Sequence, residues 1–298
     1  MTQPKWFAVV NPNAGRKSPS VVDIESLLDS RGIQASVVAT ESADHLRELV
    51  SNAAASGTRH FLSVGGDGTA HHVVNGFARF IPQGEDRFVL AIVASGSGSD
   101  FVRTFGHSRD IVQAVGRLIE PDLYPIDIGS ISGSFGTRLF LNAANVGVAA
   151  ASARVADRLP DRFGALRYTV GFWLALVRFP DAPVKVTVGR HEFSGEAINI
   201  VVANGQFFGG GMNVAPKATL VDGLLDVQVF RGPRRLAFSV MPRVVRGTHL
   251  THTAVRRYIG DTITIAVPPS WPVETDGELL GTGSVRIETV PSAIDFVT

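Results

Sequence analysis

Phe61-Leu62-Ser63-Val64-Gly65-Gly66-Asp67-Gly68-Thr69 decides the fold, because a short apolar run stops at a glycine-rich turn and the following residues, Ala70 to Phe80, carry a helical pattern. A strand that passes into a helix through glycines leaves unpaired backbone N–H groups and the positive helix end facing one spot, where an anion fits. Gly65, Gly66 and Gly68 remove the Cβ atoms that would keep a phosphate off the backbone, and they allow positive φ. Asp67 is repelled by a phosphate unless a cation stands between them, so the pairing suggests Mg2+ with its bound waters. The same residues also read as an ordinary Asp-Gly turn with Thr69 as the helix N-cap.

Working outward, the first 120 or so residues alternate strand and helix patterns: Trp6 to Val10 strand, Ser20 to Ser30 helix, Ala35 to Ala39 strand, Ala43 to Ala55 helix, then strands at Phe61 to Val64 and Phe88 to Val93. This is the pattern of a parallel sheet with crossover helices. Loops at the carboxyl ends of such strands share one crevice. Three of them are rich in Gly, Asn and Asp: Asn11-Pro12-Asn13-Ala14-Gly15, the Gly65 loop, and Ser95-Gly96-Ser97-Gly98-Ser99-Asp100.

The 298 residues suggest about two domains. Hydrophobic residues make up 45% and charged residues 18%, which excludes a disordered chain, and a formal charge of +1 gives no reason to expect nucleic acid as a partner. With no cysteine, disulfides, thiolate metal sites and a cysteine nucleophile are excluded. The apolar piece Trp6 to Val10 is too brief for a signal-peptide core, and no stretch reaches the roughly 18–20 apolar residues of a membrane span. The chain therefore reads as cytoplasmic.

After Tyr124 strands follow one another: Ile126 to Ile128, Leu139 to Asn142, Val184 to Val188, Ala197 to Ala203, Leu225 to Phe230, Thr262 to Val267 and Val285 to Val290. One helix, Ala165 to Val177, interrupts them and is closed by Pro180 and Pro183. The expected fold class is α/β: a three-layer α/β domain over residues 1–125 and a mostly antiparallel, sandwich-like domain over 126–290, with 291–298 returning to the first. Two motifs here carry chemistry. Asp222-Gly223-Leu224, before a strand, offers a carboxylate and nearby carbonyls as an all-oxygen cation site, or a plain hairpin connection. Thr275-Asp276-Gly277-Glu278 reads as a type I′ hairpin turn, or as two carboxylates on one side of an extended segment, suited to a base and its partner.

These motifs, in this order, resemble the bacterial diacylglycerol kinase and lipid kinase family, related to sphingosine kinases. Asn11-Pro12 with Gly15, Gly65 to Thr69, Gly96 to Arg103, Phe140-Leu141-Asn142 with Gly147, Asn204-Gly205 with Gly209-Gly210-Gly211, Asp222 to Asp226 and Asp276 to Glu278 carry the resemblance over essentially the whole chain. It implies a nucleotide-binding first domain, a lipid-binding second domain, and ATP- and Mg2+-dependent phosphorylation of a lipid hydroxyl, with diacylglycerol the default acceptor and phosphatidic acid the product. Phosphatidylglycerol, monoacylglycerol and sphingoid bases stay open, since apolar pockets read chain length loosely.

Carried over residue by residue, the resemblance assigns the nucleotide to Asn11, Gly65, Gly66, Gly68, Thr69, Gly96, Ser97 and Asp100, and makes Asp276 the base, with Glu278 steering it. Asp67 organises Mg2+ or, in the sphingosine kinase variant, is itself the base. A separate Mg2+ site falls on Asp222 with carbonyls near Thr219 and Leu224. The chain departs from the family at Ser97 and Ser99, where threonine and asparagine are usual, which touches the detail of nucleotide contact. Arg154, Arg158, Arg162, Arg167 and Arg178, with Phe163, Leu166, Phe172 and Trp173 among them, suggest transient contact with the inner membrane surface, and the chain leaves room for a homodimer. Three rivals remain: an NAD kinase or phosphofructokinase, which also carries Gly-Gly-Asp-Gly; a Rossmann dehydrogenase, opposed by Asn-Pro where G-x-G-x-x-G belongs; and a silent lipid-binding module.

Overall fold

Short β-branched and aromatic runs form the strands and amphipathic segments the helices of two compact units, Met1–Asp127 with Pro291–Thr298, and Ile128–Val290. The computed structural model describes residues 4–15, 18–81, 86–95, 99–156, 158–159 and 166–298. The first unit runs β1 (Trp6–Val10), α1 (Val21–Ser30), β2 (Ala35–Ala39), α2 (Ala43–Ala55), β3 (His60–Gly65), α3 (Asp67–Phe77), β4 (Phe88–Ala94), α4 (Asp100–Thr104) and α5 (Ile111–Gly116). The second begins within β5 (Leu123–Gly133) and continues through β6 (Gly136–Phe140), β7 (Ala143–Gly147), α6 (Val148–Ala156), α7 (Leu166–Arg178), β8 (Ala182–Val188), β9 (His191–Ala203), β10 (Phe207–Phe208) and β11 (Met212–Asn213). It is completed by β12 (Leu225–Arg231), α8 (Ala237–Val245), β13 (Val255–Gly260), β14 (Thr262–Ala266), β15 (Pro272–Thr275), β16 (Glu278–Thr282) and the first part of β17 (Val285–Val297).

In the first unit the strands lie parallel in the order β2-β1-β3-β4, with Ile294–Phe296 of β17 beside β4. Because the chain moves outward from β1 to β2 and then returns to the other side of β1, the order reverses between β1 and β3; ligands bind at such a switch point. Ile24 and Leu28 of α1 and Ala114 and Val115 of α5 cover one face, against Trp6, Ala8, Leu62, Ala91 and Val93. On the other, Phe77 of α3 stacks on Phe88 at 4.4 Å. Ser20 caps α1 in a capping box with Asp23, which fixes where that helix starts.

In the second unit β9 is the hub. It pairs with β8 through its first half and with β7 and β12 through its second, all antiparallel. Its burial follows: the first half alternates, whereas Ala197–Ala203, covered on both faces, is buried throughout. The expected single helix is corrected to three among the described residues, α6, α7 and α8. Helix α6 escapes a pattern search because it follows β7 directly after Gly147 and is itself mostly alanine, while α8 contains Pro242. Gly147 has φ 122°, and a Cβ there would stand 2.5 Å from the Ile198 carbonyl oxygen, so this tight exit from β7 excludes any side chain. Phe172 and Trp173, expected to insert shallowly into a bilayer, are half-buried, with one side packed against the core. Arg162 and Phe163 lie outside the described residues.

Beneath α8 lies a polar cluster. Gln228 Nε2 donates to the Val214 carbonyl (2.8 Å) and to Asp226 Oδ1 (3.0 Å), Gln228 Oε1 meets His249 Nε2 at 2.8 Å, and Asp226 Oδ2 accepts from Arg257 Nε at 2.6 Å. Burial holds the His249 imidazole below its usual 6.5, against opposing pulls from the Val214 and Arg243 carbonyls and the Asp226 charge. A depressed folded-state pKa means that the unfolded chain binds more protons, so this contribution is complete above 6.5 and is lost as pH falls. Denaturant unfolding of the protein and of His249→Gln from pH 7.5 to 5 is expected to show wild type losing stability relative to the variant. A pH-independent difference would show that the imidazole does not titrate in this range.

Candidate functional site

Three loops of the first unit meet at the β1–β3 switch point. The Asn11 backbone N–H donates to the Val64 carbonyl at 2.9 Å, and Asn11 Nδ2 donates to the Thr69 hydroxyl at 3.2 Å. Ser18 Oγ donates to the Asn11 carbonyl at 2.7 Å, and the Ser95 N–H to the Gly65 carbonyl at 2.9 Å. Asp67, the first residue of α3, reaches across to α4: its Oδ2 accepts the Asp100 N–H at 2.8 Å and its Oδ1 the Phe101 N–H at 3.2 Å. The Asp67 carboxylate thus ties the start of α3 to α4, alongside the Ser95–Gly65 bond between the two loops.

The glycines act differently from expectation. None of Gly65, Gly66 and Gly68 takes positive φ. Gly65 is required by space, since a Cβ there would stand 2.2 Å from the Thr69 hydroxyl oxygen. Gly66, not Thr69, is the N-cap of α3 and has no side chain to cap it; the N–H groups of Thr69 and Ala70 turn back to its carbonyl at 3.0 and 3.3 Å. Thr69 is buried inside the first turn. Asn11, Gly65, Gly66, Gly68, Thr69, Asp67 and Asp100 therefore gather in one place, while Gly96 and Ser97 lie outside the described residues.

The second unit holds its own convergence. β15 and β16 form a hairpin whose two turn residues, Asp276 and Gly277, have φ 50° and 92°, the type I′ geometry. Of the two expected readings the structure takes the hairpin: Asp276 and Glu278 do not lie along one extended segment, because the left-handed turn swings Asp276 away from the strand direction. Its carboxylate accepts the backbone N–H groups of Leu141 (2.8 Å), Asn142 (2.9 Å) and Ala143 (3.1 Å), and its own N–H donates to the Ala143 carbonyl at 3.0 Å. Leu141 and Asn142, expected as strand, are bent into the β6–β7 turn that receives it. The other motifs close on the same turn. Asn204 Nδ2 donates to the Leu141 carbonyl at 2.8 Å, and the N–H groups of Asn204 and Gly205 donate to the Asn142 carbonyl at 2.8 and 2.9 Å.

Sequence reasoning missed Glu274. It sits opposite Asn145 in the β15–β7 pairing, is 7% exposed, accepts from Asn145 Nδ2, and takes the Gly277 N–H on Oε2 at 2.7 Å. The available signal was an acid inside an apolar strand, between Val273 and the turn. Burial pushes its carboxyl up to about 7; the bonds from Asn145 and Gly277 pull the other way, and the charges of Asp276 and Glu278 push with burial. Asp222 stands apart in an exposed turn, where its Oδ1 accepts the Leu224 N–H at 3.0 Å, and Thr219 is exposed nearby in sequence. Among the described residues no three carboxylate or histidine side chains gather at metal-ligand spacing. A hard cation beside Asp222 would have one carboxylate and backbone carbonyls, a donor set of the right chemistry but low charge.

Comparison with known proteins gives two matches that together take in most of the chain. Residues 5–131 match the diacylglycerol kinase catalytic domain, and residues 142–298 match the YegS C-terminal NAD kinase beta sandwich-like domain. A protein of Shewanella frigidimarina named "Probable lipid kinase YegS-like" is 29% identical over 87% of this chain and 82% of its own. A diacylglycerol kinase of Bacillus subtilis is 26% identical over 92% of this chain and 89% of its own. The crystal structure of a diacylglycerol kinase from Bacillus anthracis superposes with a TM-score of 0.70 over 99% of this chain and 96% of that one, at 20% identity, and so shares the fold.

Gly65→Ala is expected to destabilise the protein by about 1–3 kcal/mol, because the Thr69 side chain has to move and with it the bond to Asn11. Thermal denaturation reads this, and an unchanged Tm would show that the loop yields freely. For Glu274 the sign is opposite to that of His249. A raised folded-state pKa contributes stability that is complete below the ordinary 4.5 and lost as pH rises through about 7. Between pH 5 and 8, wild type should lose stability relative to Glu274→Gln, which keeps an acceptor for Gly277 and stays neutral; parallel curves would contradict the raised value.

Proposed function

The chain belongs to the family of diacylglycerol kinases and YegS-like lipid kinases, and from that premise we propose that it transfers the γ-phosphate of ATP to a lipid hydroxyl, diacylglycerol yielding phosphatidic acid. The observation that carries the proposal is the Asp276 carboxylate, held in one orientation by three backbone N–H groups at the point where the Asn142, Asn204 and Asp276 motifs meet. The three donors fix the carboxylate in one orientation, and a fixed orientation is what a base needs in order to reach the proton of a hydroxyl.

The glycine loop takes the phosphates. The backbone of the Gly65 loop and the positive end of α3 hold the phosphate oxygens, with Thr69 and Asn11 forming the wall. Asp67 places a fixed negative charge there, suited to orienting Mg2+ through water, since both its oxygens already accept N–H bonds. Mg2+ held beside Asp67 would supply positive charge against the negative charge that develops on the phosphates during transfer. Asp276 takes the proton of the attacking lipid hydroxyl, and Glu278 steers it. A second cation at Asp222, with the carbonyls of Thr219 and Leu224, is structural. The lipid acceptor brings the protein to the cytoplasmic membrane face for each turnover. Among the described residues no helix is long and apolar enough to cross a membrane.

Incubation with labelled ATP, Mg2+ and a total lipid extract, followed by identification of the labelled product, tests the reading. Labelled phosphatidic acid supports it; another phospholipid moves the acceptor; label on NAD and on no lipid overturns it. Asp276→Asn is expected to lower kcat by about 10²–10⁴-fold with little change in the KM for ATP. Asp67→Asn is expected to weaken Mg2+-dependent ATP use and to loosen α4, seen as a lower Tm. Near-normal single-turnover phosphorylation by Asp276→Asn would transfer the base role to Asp67.

A further inference from the structure

Helix α8 is apolar on two opposite faces. Ala237, Val240 and Val244 are buried, as an amphipathic helix requires. The opposite side ought to be polar, yet at 3.6 residues per turn it presents Phe238, Pro242 and Val245, with Phe238 67% and Val245 56% exposed. A helix apolar all round belongs in a core or in a membrane. The exposed surface continues onto α7: Trp173 stacks on Phe238 at 4.7 Å, and beyond it Leu174 is 41% and Val177 69% exposed. Arg234 joins the two helices by donating to the Val177 carbonyl. Scattered apolar residues on a surface need no explanation, but a contiguous patch of large ones marks a contact surface.

The charge around the patch says what covers it. Residues 227–260 contain seven arginines and no Asp or Glu. Arg257 is used internally by Asp226. Arg234, Arg235, Arg243 and Arg246, with Arg178 at the end of α7, are exposed, and among the described residues none of the five pairs with a carboxylate. Apolar side chains rimmed by guanidiniums that no carboxylate neutralises complement a surface with an oily interior and negative phosphates at its rim.

We propose that the outer face of α7 and α8 is the surface by which this protein docks on a bilayer containing anionic lipid. Phe238, Val245, Leu174 and Val177 enter the boundary between headgroups and acyl chains, and the arginines meet headgroup phosphates. The use of this surface rests on the reading that the substrate is a membrane lipid, whereas its evidence is independent of which lipid that is.

Sedimentation with vesicles of phosphatidylcholine alone and of phosphatidylcholine mixed with phosphatidylglycerol tests it. Wild type should prefer the mixed vesicles and lose that preference in high salt. Arg234→Glu with Arg235→Glu should weaken binding to mixed vesicles at least about tenfold. Phe238→Ser with Val177→Ser should weaken it with the salt dependence retained, and both variants should show wild-type circular dichroism, with any small fall in Tm reporting the lost Arg234–Val177 and Phe238–Trp173 contacts. Both should also keep wild-type turnover of a short-chain diacylglycerol dispersed as monomers. If no lipid is phosphorylated but the vesicle pattern holds, the docking surface stands and the kinase reading fails. Wild-type vesicle binding by both variants overturns the proposal, as does a shift from dimer to monomer in Phe238→Ser with vesicle binding unchanged, which would make the patch an interface between two copies.

Discussion

An aspartate carboxylate that takes the backbone N–H groups of a distant loop is the interaction on which the rest depends. Asp67 does this for the start of α4, Asp127 for Ser292, and Asp276 for the turn from Leu141 to Ala143. Each loop would otherwise leave donors facing the interior, where an unmet N–H costs about 1–3 kcal/mol. A charged acceptor also does what a neutral one does not, because its bonds are roughly twice as strong and both its oxygens can be used at once. The segments joined lie 33 or more positions apart in sequence, so these carboxylates set tertiary geometry as well as local turns.

This changes how the aspartates are to be understood. In the nucleotide reading Asp67 is a charge for a cation, and in the hairpin reading Asp276 is half of a turn. The structure gives Asp67 a structural task alongside any chemical one, and it realises the hairpin while placing its carboxylate at the meeting point of three motifs. The modest reading of Asp-Gly and the ambitious one are compatible: the left-handed conformation of Asp276 aims its side chain at the β6–β7 turn, and that aim is available only because Gly277 follows.

Much of the α/β unit was legible because its signals are local. Trp6–Val10 and Ala35–Ala39 are short β-branched runs bounded by polar residues, and Ser20 with Asp23 marks the start of a helix. The second unit resisted because its order is set by neighbours distant in sequence. Leu141 and Asn142 look like strand until Asp276, 134 or more residues later, bends them into a turn. Glu274 was missed for the same reason: an acid in an apolar strand is a signal, but it looks like a solvent-facing residue until Asn145 and Gly277 surround it. The glycines of the loop were correctly found but for a partly wrong reason, since crowding by a side chain four residues ahead leaves no trace in composition.

Strand β17 carries a consequence for how the chain is made. Its first half pairs with β14 in the second unit, and Ile294–Phe296 pairs with β4 in the first. Residues 291–298 are synthesised after the whole second unit, yet the Thr298 N–H binds the Asp122 carbonyl at 3.0 Å and Ser292 binds Asp127. The first unit therefore cannot finish folding in the order in which it emerges from the ribosome. Until those residues arrive, β4 presents an open edge to its surroundings. A nascent chain stalled beyond residue 127 would hold four parallel strands with the β4 flank unprotected as well as β2, the kind of template on which strands of other chains add.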